Sequence, residues 1–215
     1  MENDSLIKNT TNLYSGLGWK SVFAKIRLWD APYKHAETVV PRKGLIVELG
    51  CGEGLFSNYL ALSSDKRKII GVELDENRVK IANRGLPNAK FIHADANKAK
   101  FHNADAIVMM HLLHHLNSFE EQEKLIRSCL PRIKKSGKLV IIEVEPKFSL
   151  KYLISWLTDH FLVAWLFERK IYSSIYFRKK SEWIKMLSGM GFKVDSYSAE
   201  KGMPFSHIIF DCVKK

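Results

Sequence analysis

The chain alternates short runs of branched apolar residues with segments in which apolar positions recur every three or four residues. The first pattern is typical of buried strands and the second of amphipathic helices. Because the two alternate, and because the strand runs are apolar throughout, we expect a parallel sheet with helices on both faces. The predicted strands are 45–50, 69–74, 90–93, 105–110 and 138–144, and the predicted helices between them are 54–63, 76–84 and 118–131.

The segments outside this alternating core have a different character. Spaced aromatic residues at 5–38 predict one or two short helices before the first strand. Residues 147–180 combine apolar residues at helical spacing with an excess of Lys and Arg, which predicts an inserted helical cap. Near the end, Ser181 is the predicted N-cap of a helix, and a strand hairpin follows it. We therefore expect one domain in four parts: 1–44 leading helices, 45–146 core, 147–180 inserted cap, and 181–215 final helix and hairpin.

The first strand ends in a turn with glycine at every second position, Gly50, Gly52 and Gly54. Glycine has no Cβ, so it adopts positive φ readily and lets a ligand approach the backbone. A helix follows the turn, and its free N–H groups point into the same space. A strand, a glycine turn and a helix in this order are typical of the ligand-binding unit of doubly wound α/β folds.

The spacing of this turn excludes the dinucleotide fingerprint G-x-G-x-x-G, because the sixth position from Gly50 is Leu55. An acid, Glu48, also precedes the first glycine by two residues. An anionic Glu48 would repel a pyrophosphate but would attract a ligand that carries an ammonium and a sulfonium. Both observations disfavour a nicotinamide oxidoreductase.

This glycine turn resembles motif I of the class I S-adenosylmethionine-dependent methyltransferases. The likeness continues through 69–75, 91–96, 105–116 and 137–143, and it covers about residues 40–146. It implies a doubly wound, mostly parallel seven-stranded sheet with an antiparallel last strand. It also implies S-adenosylmethionine as cofactor and S-adenosylhomocysteine as product.

The resemblance assigns roles to two acids. Glu73 is implied to grip the two ribose hydroxyls, since a carboxylate accepts two hydrogen bonds at once. Asp95 is implied to accept from the adenine amino group, with a loop aspartate bonding its own backbone as the alternative. Asp75, close to Glu73, is the predicted N-cap of the next helix. The candidate cofactor-binding residues are Glu48, Gly50, Cys51, Gly52, Gly54, Glu73, Leu74, Asp95, Ala96 and Met110.

Three histidines, His111, His114 and His115, follow the fourth strand at the sheet edge where such folds bind ligands. His111 and His115 are the candidate catalytic residues, because a neutral imidazole takes a proton from a hydroxyl or phenol. The alternative is ordinary packing, since the two lie four positions apart. A zinc site is disfavoured because the sequence offers no obvious third ligand.

Methyl transfer from a sulfonium is an in-line displacement that depends on holding two atoms close and aligned, so no catalytic triad is required. The segment after the fourth strand, Met110-His111-Leu112-Leu113, lacks the Asn/Asp-Pro-Pro-Tyr/Phe signature of amide or DNA-adenine methylation. A small-molecule or lipid-like acceptor is therefore expected. An RNA methyltransferase and a non-catalytic binding module remain the alternatives.

Composition and net charge limit the cellular compartment and the kinds of partner that are expected. The 215 residues fit one domain, and three widely spaced cysteines favour reduced thiols and a cytoplasmic protein. The net charge of +11 favours an anionic partner, although nucleic acid is disfavoured because no basic aromatic platform is evident. The cap at 147–180 has aromatic residues flanked by Lys and Arg. It is expected to contact an anionic membrane, to cover an apolar substrate, or simply to pack on the sheet.

Overall fold

A computed structural model describes residues 2–144, 176–199 and 206–215 of the chain. The inserted cap predicted at 147–180, and with it the membrane contact predicted there, lies almost entirely outside the described residues. The helices are α1 (Glu2–Leu13), α2 (Trp19–Asp30), α3 (Tyr33–Val39), α4 (Leu55–Ser63), α5 (Glu76–Ala82), α6 (Phe119–Cys129) and α7 (Lys180–Gly189). The strands are β1 (Gly44–Leu49), β2 (Arg67–Glu73), β3 (Ala89–His93), β4 (Ala104–Met110), β5 (Ile133–Val144), β6 (Phe192–Ala199) and β7 (His207–Lys214).

The described strands form one seven-stranded sheet in the order β3-β2-β1-β4-β5-β7-β6. Strands β1 to β5 pair in parallel, and β7 runs antiparallel to both β5 and β6. This confirms the doubly wound fold with an antiparallel last strand. The strand order reverses between β1 and β4, so the loops after these two strands border the crevice where open α/β sheets bind ligands.

The sheet separates two apolar cores. Neighbouring residues of β4 point to opposite faces, so Ile107 belongs to one core and Val108 to the other. The first core includes Trp183 of α7, and the second includes Phe56 of α4. Burial on both faces explains why the central strands read as continuous apolar runs.

The leading segment forms three helices where the sequence predicted one or two, and several element boundaries shift by a few residues. Two of the differences have an identifiable physical cause. Strand β5 begins at Ile133 and not at 138, because a bulge lets Ile133 pair with Ala104 while Lys138 pairs with Ala106. Helix α7 begins at Lys180, so the predicted cap at Ser181 is wrong. The Glu182 carboxylate accepts from the Lys179 N–H at 2.8 Å, which moves the start of the helix one residue earlier. The cap predicted at Asp75 is confirmed, and Ser118 caps α6 by accepting from the Glu121 N–H.

The leading helical segment is hydrogen-bonded directly to the glycine turn through Tyr14. The Tyr14 hydroxyl donates to the Glu53 carbonyl at 2.8 Å and accepts from Asn58 Nδ2 at 2.8 Å. Tyr14 follows α1 and is completely buried, so this contact fixes the point from which α2 starts. Helix α2 then reaches the end of β4, where its Arg27 contacts His111.

Candidate functional site

All three glycines of the turn after β1 have positive φ, at 70°, 55° and 74° for Gly50, Gly52 and Gly54. A Cβ on Gly50 would lie 2.5 Å from Leu112 Cδ1, and one on Gly54 would lie 2.6 Å from Ala82 Cβ. A Cβ on Gly52 would meet nothing within 4 Å. Two of the glycines are therefore required by packing, and the third borders open space.

Glu73, at the end of β2, is bound to this turn. Its Oε2 accepts from the Gly52 N–H at 2.8 Å, and its Oε1 accepts from the N–H groups of Leu74 and Asp75 at 2.9 and 3.0 Å. The carboxylate is thus held by backbone donors beside the open space at Gly52. A carboxylate has about four acceptor positions, so capacity for a further donor such as a hydroxyl remains.

Glu48 lies under the turn and is almost completely buried. The Ser57 hydroxyl of α4 donates to its Oε2. Burial raises the pKa of Glu48 to about 8, and the nearby Glu73 charge contributes to the rise. In the absence of a cation Glu48 is therefore mostly protonated at neutral pH, whereas the sequence argument assumed an anion.

The other candidates around the turn differ in how they face the open space. Asp95 Oδ1 accepts from the Asn97 N–H at 2.8 Å, which is the alternative that the sequence left open for this residue. Leu74 is 64% exposed beside Glu73, and Ala96 is half-buried in the loop after β3. The Cys51 thiol instead packs inward, 2.8 Å from where a Cβ on Gly71 would lie. Burial raises the pKa of this thiol well above its usual range, so Cys51 offers the site only its backbone.

Strand β4 ends at the buried Met110, and His111 follows with a φ of 52°, a conformation uncommon outside glycine. The Arg27 guanidinium lies with its Nη2 2.9 Å from His111 Nδ1. Because a guanidinium is only a donor, Nδ1 accepts and the ring proton is on Nε2. Nε2 is buried and has no hydrogen-bond partner among the described residues.

The charge state of His111 follows from the same surroundings. Burial lowers the pKa of His111 well below its usual value, and the neighbouring Arg27, His207, His114 and His115 lower it further. The ring stacks on that of His207, with a centroid separation of 4.9 Å. His111 is therefore a neutral imidazole that offers a hydrogen-bond donor at Nε2.

His114 and His115 are held differently. His114 Nδ1 hydrogen-bonds the Glu143 carboxylate, whose other oxygen accepts from the Leu113 N–H at 2.9 Å. Its ring also stacks on Phe177 at 5.0 Å. The ring of His115 packs on that of His114 at 4.1 Å, and burial lowers the pKa of His115 well below its usual value. Among the described residues, no cluster of three or more His, Cys, Asp or Glu is arranged to hold a metal ion.

Sequence reasoning missed Arg27 and His207 as parts of this site. Arg27 comes from α2, 84 positions before His111, and nothing in the sequence pairs the two. Glu143 ends a motif that the sequence did show, but its contact with His114 depends on β5 lying beside β4.

Comparison with known proteins agrees with this geometry. Residues 47–141 match the sequence model of the family described as "Methyltransferase domain". The demethylmenaquinone methyltransferase of Thermotoga maritima is 25% identical over 123 residues, which are 56% of this chain and 52% of that protein. The match thus spans about half the length of that curated relative.

Solved structures share the fold. The magnesium protoporphyrin IX methyltransferase of Synechocystis, solved with bound S-adenosylhomocysteine, superposes with a TM-score of 0.65 at 17% identity, over 98% of this chain and 100% of that chain. A methyltransferase from Aquifex aeolicus superposes with a TM-score of 0.63 at 18% identity, over 87% and 92% of the two chains. Residues 47–141 are therefore similar to a methyltransferase domain, and the described residues have the class I S-adenosylmethionine-dependent methyltransferase fold. S-adenosylmethionine is accordingly its cofactor.

We predict that Gly52→Val abolishes binding of S-adenosylmethionine, because the new side chain enters the open space beside Glu73. Positive φ alone costs about 1 kcal/mol of stability. Gly85→Val is the matched control, since Gly85 also has positive φ, at 76°, with nothing within 4 Å of its Cβ. Isothermal titration calorimetry should show normal affinity for the control and none for Gly52→Val. Unchanged affinity of Gly52→Val would place the ligand elsewhere.

Proposed function

We propose that the protein transfers the methyl group of S-adenosylmethionine to a small-molecule or lipid-like acceptor at the carboxyl end of β4. The observation that carries this proposal is the open space at Gly52, bordered by the anchored carboxylate of Glu73 at the carboxyl edge of the sheet. The named acceptors of two proteins similar to this chain, demethylmenaquinone and magnesium protoporphyrin IX, are small molecules. These comparisons support the acceptor class by analogy.

The cofactor, when bound, supplies an already activated methyl group, and the chain's residues hold it in place. Glu73 accepts from the ribose hydroxyls and Asp95 from the adenine amino group, while Leu74 and Ala96 flank the base. Glu48 lies on the side of the cationic groups, and the backbone of Gly50, Cys51, Gly52 and Gly54 lets the cofactor approach closely. Met110, buried at the end of β4, would face the side of the reacting methyl. Glu73 borders the open space at Gly52 directly, and the other assignments follow from the resemblance of these positions to the family's motifs.

The acceptor side is proposed to use His111 as a hydrogen-bond donor. The contact with Arg27 leaves the ring proton on Nε2, so His111 in this arrangement donates to the acceptor and does not remove a proton from it. A donor at this place favours an acceptor oxygen that carries negative charge, such as a phenolate. The general-base role predicted from the sequence for His111 and His115 remains a hypothesis that the variants below separate from donation.

Tritium-labelled S-adenosylmethionine tests the acceptor class. The protein is incubated separately with a lipid extract, a small-molecule extract and total RNA, and incorporation is counted in each. We expect label in the lipid or small-molecule fraction and none with Gly52→Val. Label in RNA would contradict the proposal and favour the alternative suggested by the charge of +11. Cofactor binding without label in any fraction would favour the non-catalytic alternative.

Binding of S-adenosylmethionine should release a proton from Glu48. Its pKa is raised to about 8 in the ligand-free protein, and a cation beside it favours the ionised form. The affinity should therefore rise with pH toward about pH 8 and then level off. Calorimetry in buffers with different ionisation enthalpies measures the proton count, which should approach one at neutral pH. Glu48→Gln should remove the release, whereas unchanged release in that variant would exclude Glu48 as its source.

The raised pKa of Glu48 also makes the stability of the ligand-free protein depend on pH. Since the pKa of Glu48 in the folded state lies above its ordinary value of 4.5, the ligand-free protein binds more protons when folded. The contribution of Glu48 to the free energy of unfolding is complete below about pH 4.5 and declines as the pH rises toward about 8. Glu48→Gln should show less of this decline in chemical denaturation.

His111→Ala should lower kcat/KM on the order of a hundredfold with the acceptor found by labelling, because it removes a donor to the reacting oxygen. His111→Gln keeps an N–H donor and should retain more activity than His111→Ala, with an unchanged pH profile. If His111 is a general base, both variants should be equally impaired and should lose the acidic limb of the profile. His115→Ala serves as the comparison, with an effect on stability larger than its effect on kcat/KM.

A further inference from the structure

Helix α2 exposes a continuous apolar stripe on the side that faces away from the core. Trp19 is 83% exposed, Val22 45%, Ile26 49% and Trp29 65%. These positions are three, seven and ten residues apart along the helix, so they lie on one face. Single exposed apolar residues are ordinary, but four on one face of a twelve-residue helix form a surface that favours a partner.

The charges of α2 indicate what kind of partner fits. Lys25 borders the apolar stripe and is exposed, whereas Lys20, on another side of the helix, pairs with Glu53 at 3.6 Å. The acid of this helix, Asp30, is buried and pairs with Arg27 at 3.8 Å. The exposed face of α2 therefore carries positive charge and no negative charge. The whole chain, with a net charge of +11, has the same sign.

Tryptophan and lysine together on an apolar helix face match the chemistry of an anionic lipid surface. Indole rings are favoured at the boundary between lipid headgroups and acyl chains, and lysines beside them are attracted to anionic headgroups. In the part of the chain that the structure describes, no helix is long and apolar enough to cross a membrane. A helix that lies in the surface plane requires no such length.

We propose that the face of α2 formed by Trp19, Val22, Lys25, Ile26 and Trp29 docks the protein on an anionic lipid bilayer. On another side of the same helix, Arg27 contacts His111 at the proposed acceptor site. Docking through α2 therefore brings that site next to the lipid surface, where an apolar acceptor is dissolved. The docking itself does not depend on methyl transfer, and it is measured with the cofactor absent.

Flotation with lipid vesicles tests the proposal. Wild-type protein is mixed with vesicles of equimolar phosphatidylcholine and phosphatidylglycerol, or with vesicles of phosphatidylcholine alone. We expect binding to the anionic vesicles that weakens with added salt, and little binding to the neutral ones. Absence of binding to the anionic vesicles, or equal binding to both kinds, would overturn the proposal.

Variants of α2 test whether this helix is responsible for the vesicle binding. The double variant Trp19→Ser/Trp29→Ser should reduce partitioning by more than tenfold, because it removes both indole rings that would insert at the lipid interface. Lys25→Glu should reduce it on the order of tenfold through charge reversal. The matched controls are Tyr197→Ser, which removes an aromatic residue 49% exposed on β6, and Lys193→Glu, also on β6. The five substituted positions are exposed, so circular dichroism and thermal melting should match those of the wild type.

Two results with these variants would overturn the proposal. Full vesicle binding by the double tryptophan variant would place the lipid contact on another part of the chain. Sedimentation of the wild type as a dimer in the absence of lipid, with the double variant a monomer, would show that a second copy covers the stripe.

Discussion

The site depends on a backbone turn that only glycine accommodates at three nearby positions. The N–H groups of Gly50 and Cys51 both donate to the Val72 carbonyl, at 2.8 and 3.0 Å, and the Glu73 carboxylate holds the Gly52 N–H. These bonds join the end of β1 to the end of β2, so the crevice is preformed by main chain. The positive φ angles make this path possible, and the absent Cβ at Gly52 keeps it open.

Burial sets the charges inside this crevice. Glu48 is buried deeply enough to stay mostly protonated at neutral pH until a cation compensates it, and His111 is neutral for the same reason. Once Glu48 is ionised, its attraction for a cationic group is stronger here than in water because the dielectric is low, and the desolvation of both groups opposes that attraction. The polar groups of the site are selective because they are desolvated before the ligand arrives.

Helix α2 joins two functions that are separate in the sequence. Its buried side carries Arg27, which fixes the proton position on His111, and its exposed side carries the tryptophan stripe. The helix is held in this orientation by Tyr14, whose hydroxyl bonds to the glycine turn and to α4. The cofactor turn, the acceptor side and the outer surface are thereby mechanically connected.

The sequence by itself determined the fold class and the glycine turn, because both follow from the pattern of residues that are close together along the chain. Apolar strand runs between amphipathic helices predict the parallel sheet, and the residues around 46–54 predict the turn. The roles of Glu73 and Asp75 could also be distinguished from the sequence, because an N-cap residue directly precedes its helix. The details that failed, the start of β5 and the cap of α7, depend on a bulge and on one side-chain hydrogen bond.

Tertiary structure alone decided the protonation and partners of the site residues. The sequence treated Glu48 as an anion and offered His111 as a candidate base, because it contains no information on how deeply either is buried. It did not relate Arg27 to His111, since their contact requires α2 to fold over the end of β4. Local pattern thus specifies which residues reach the edge of the sheet. Long-range packing then sets the dielectric and the hydrogen-bond partners that determine their chemistry.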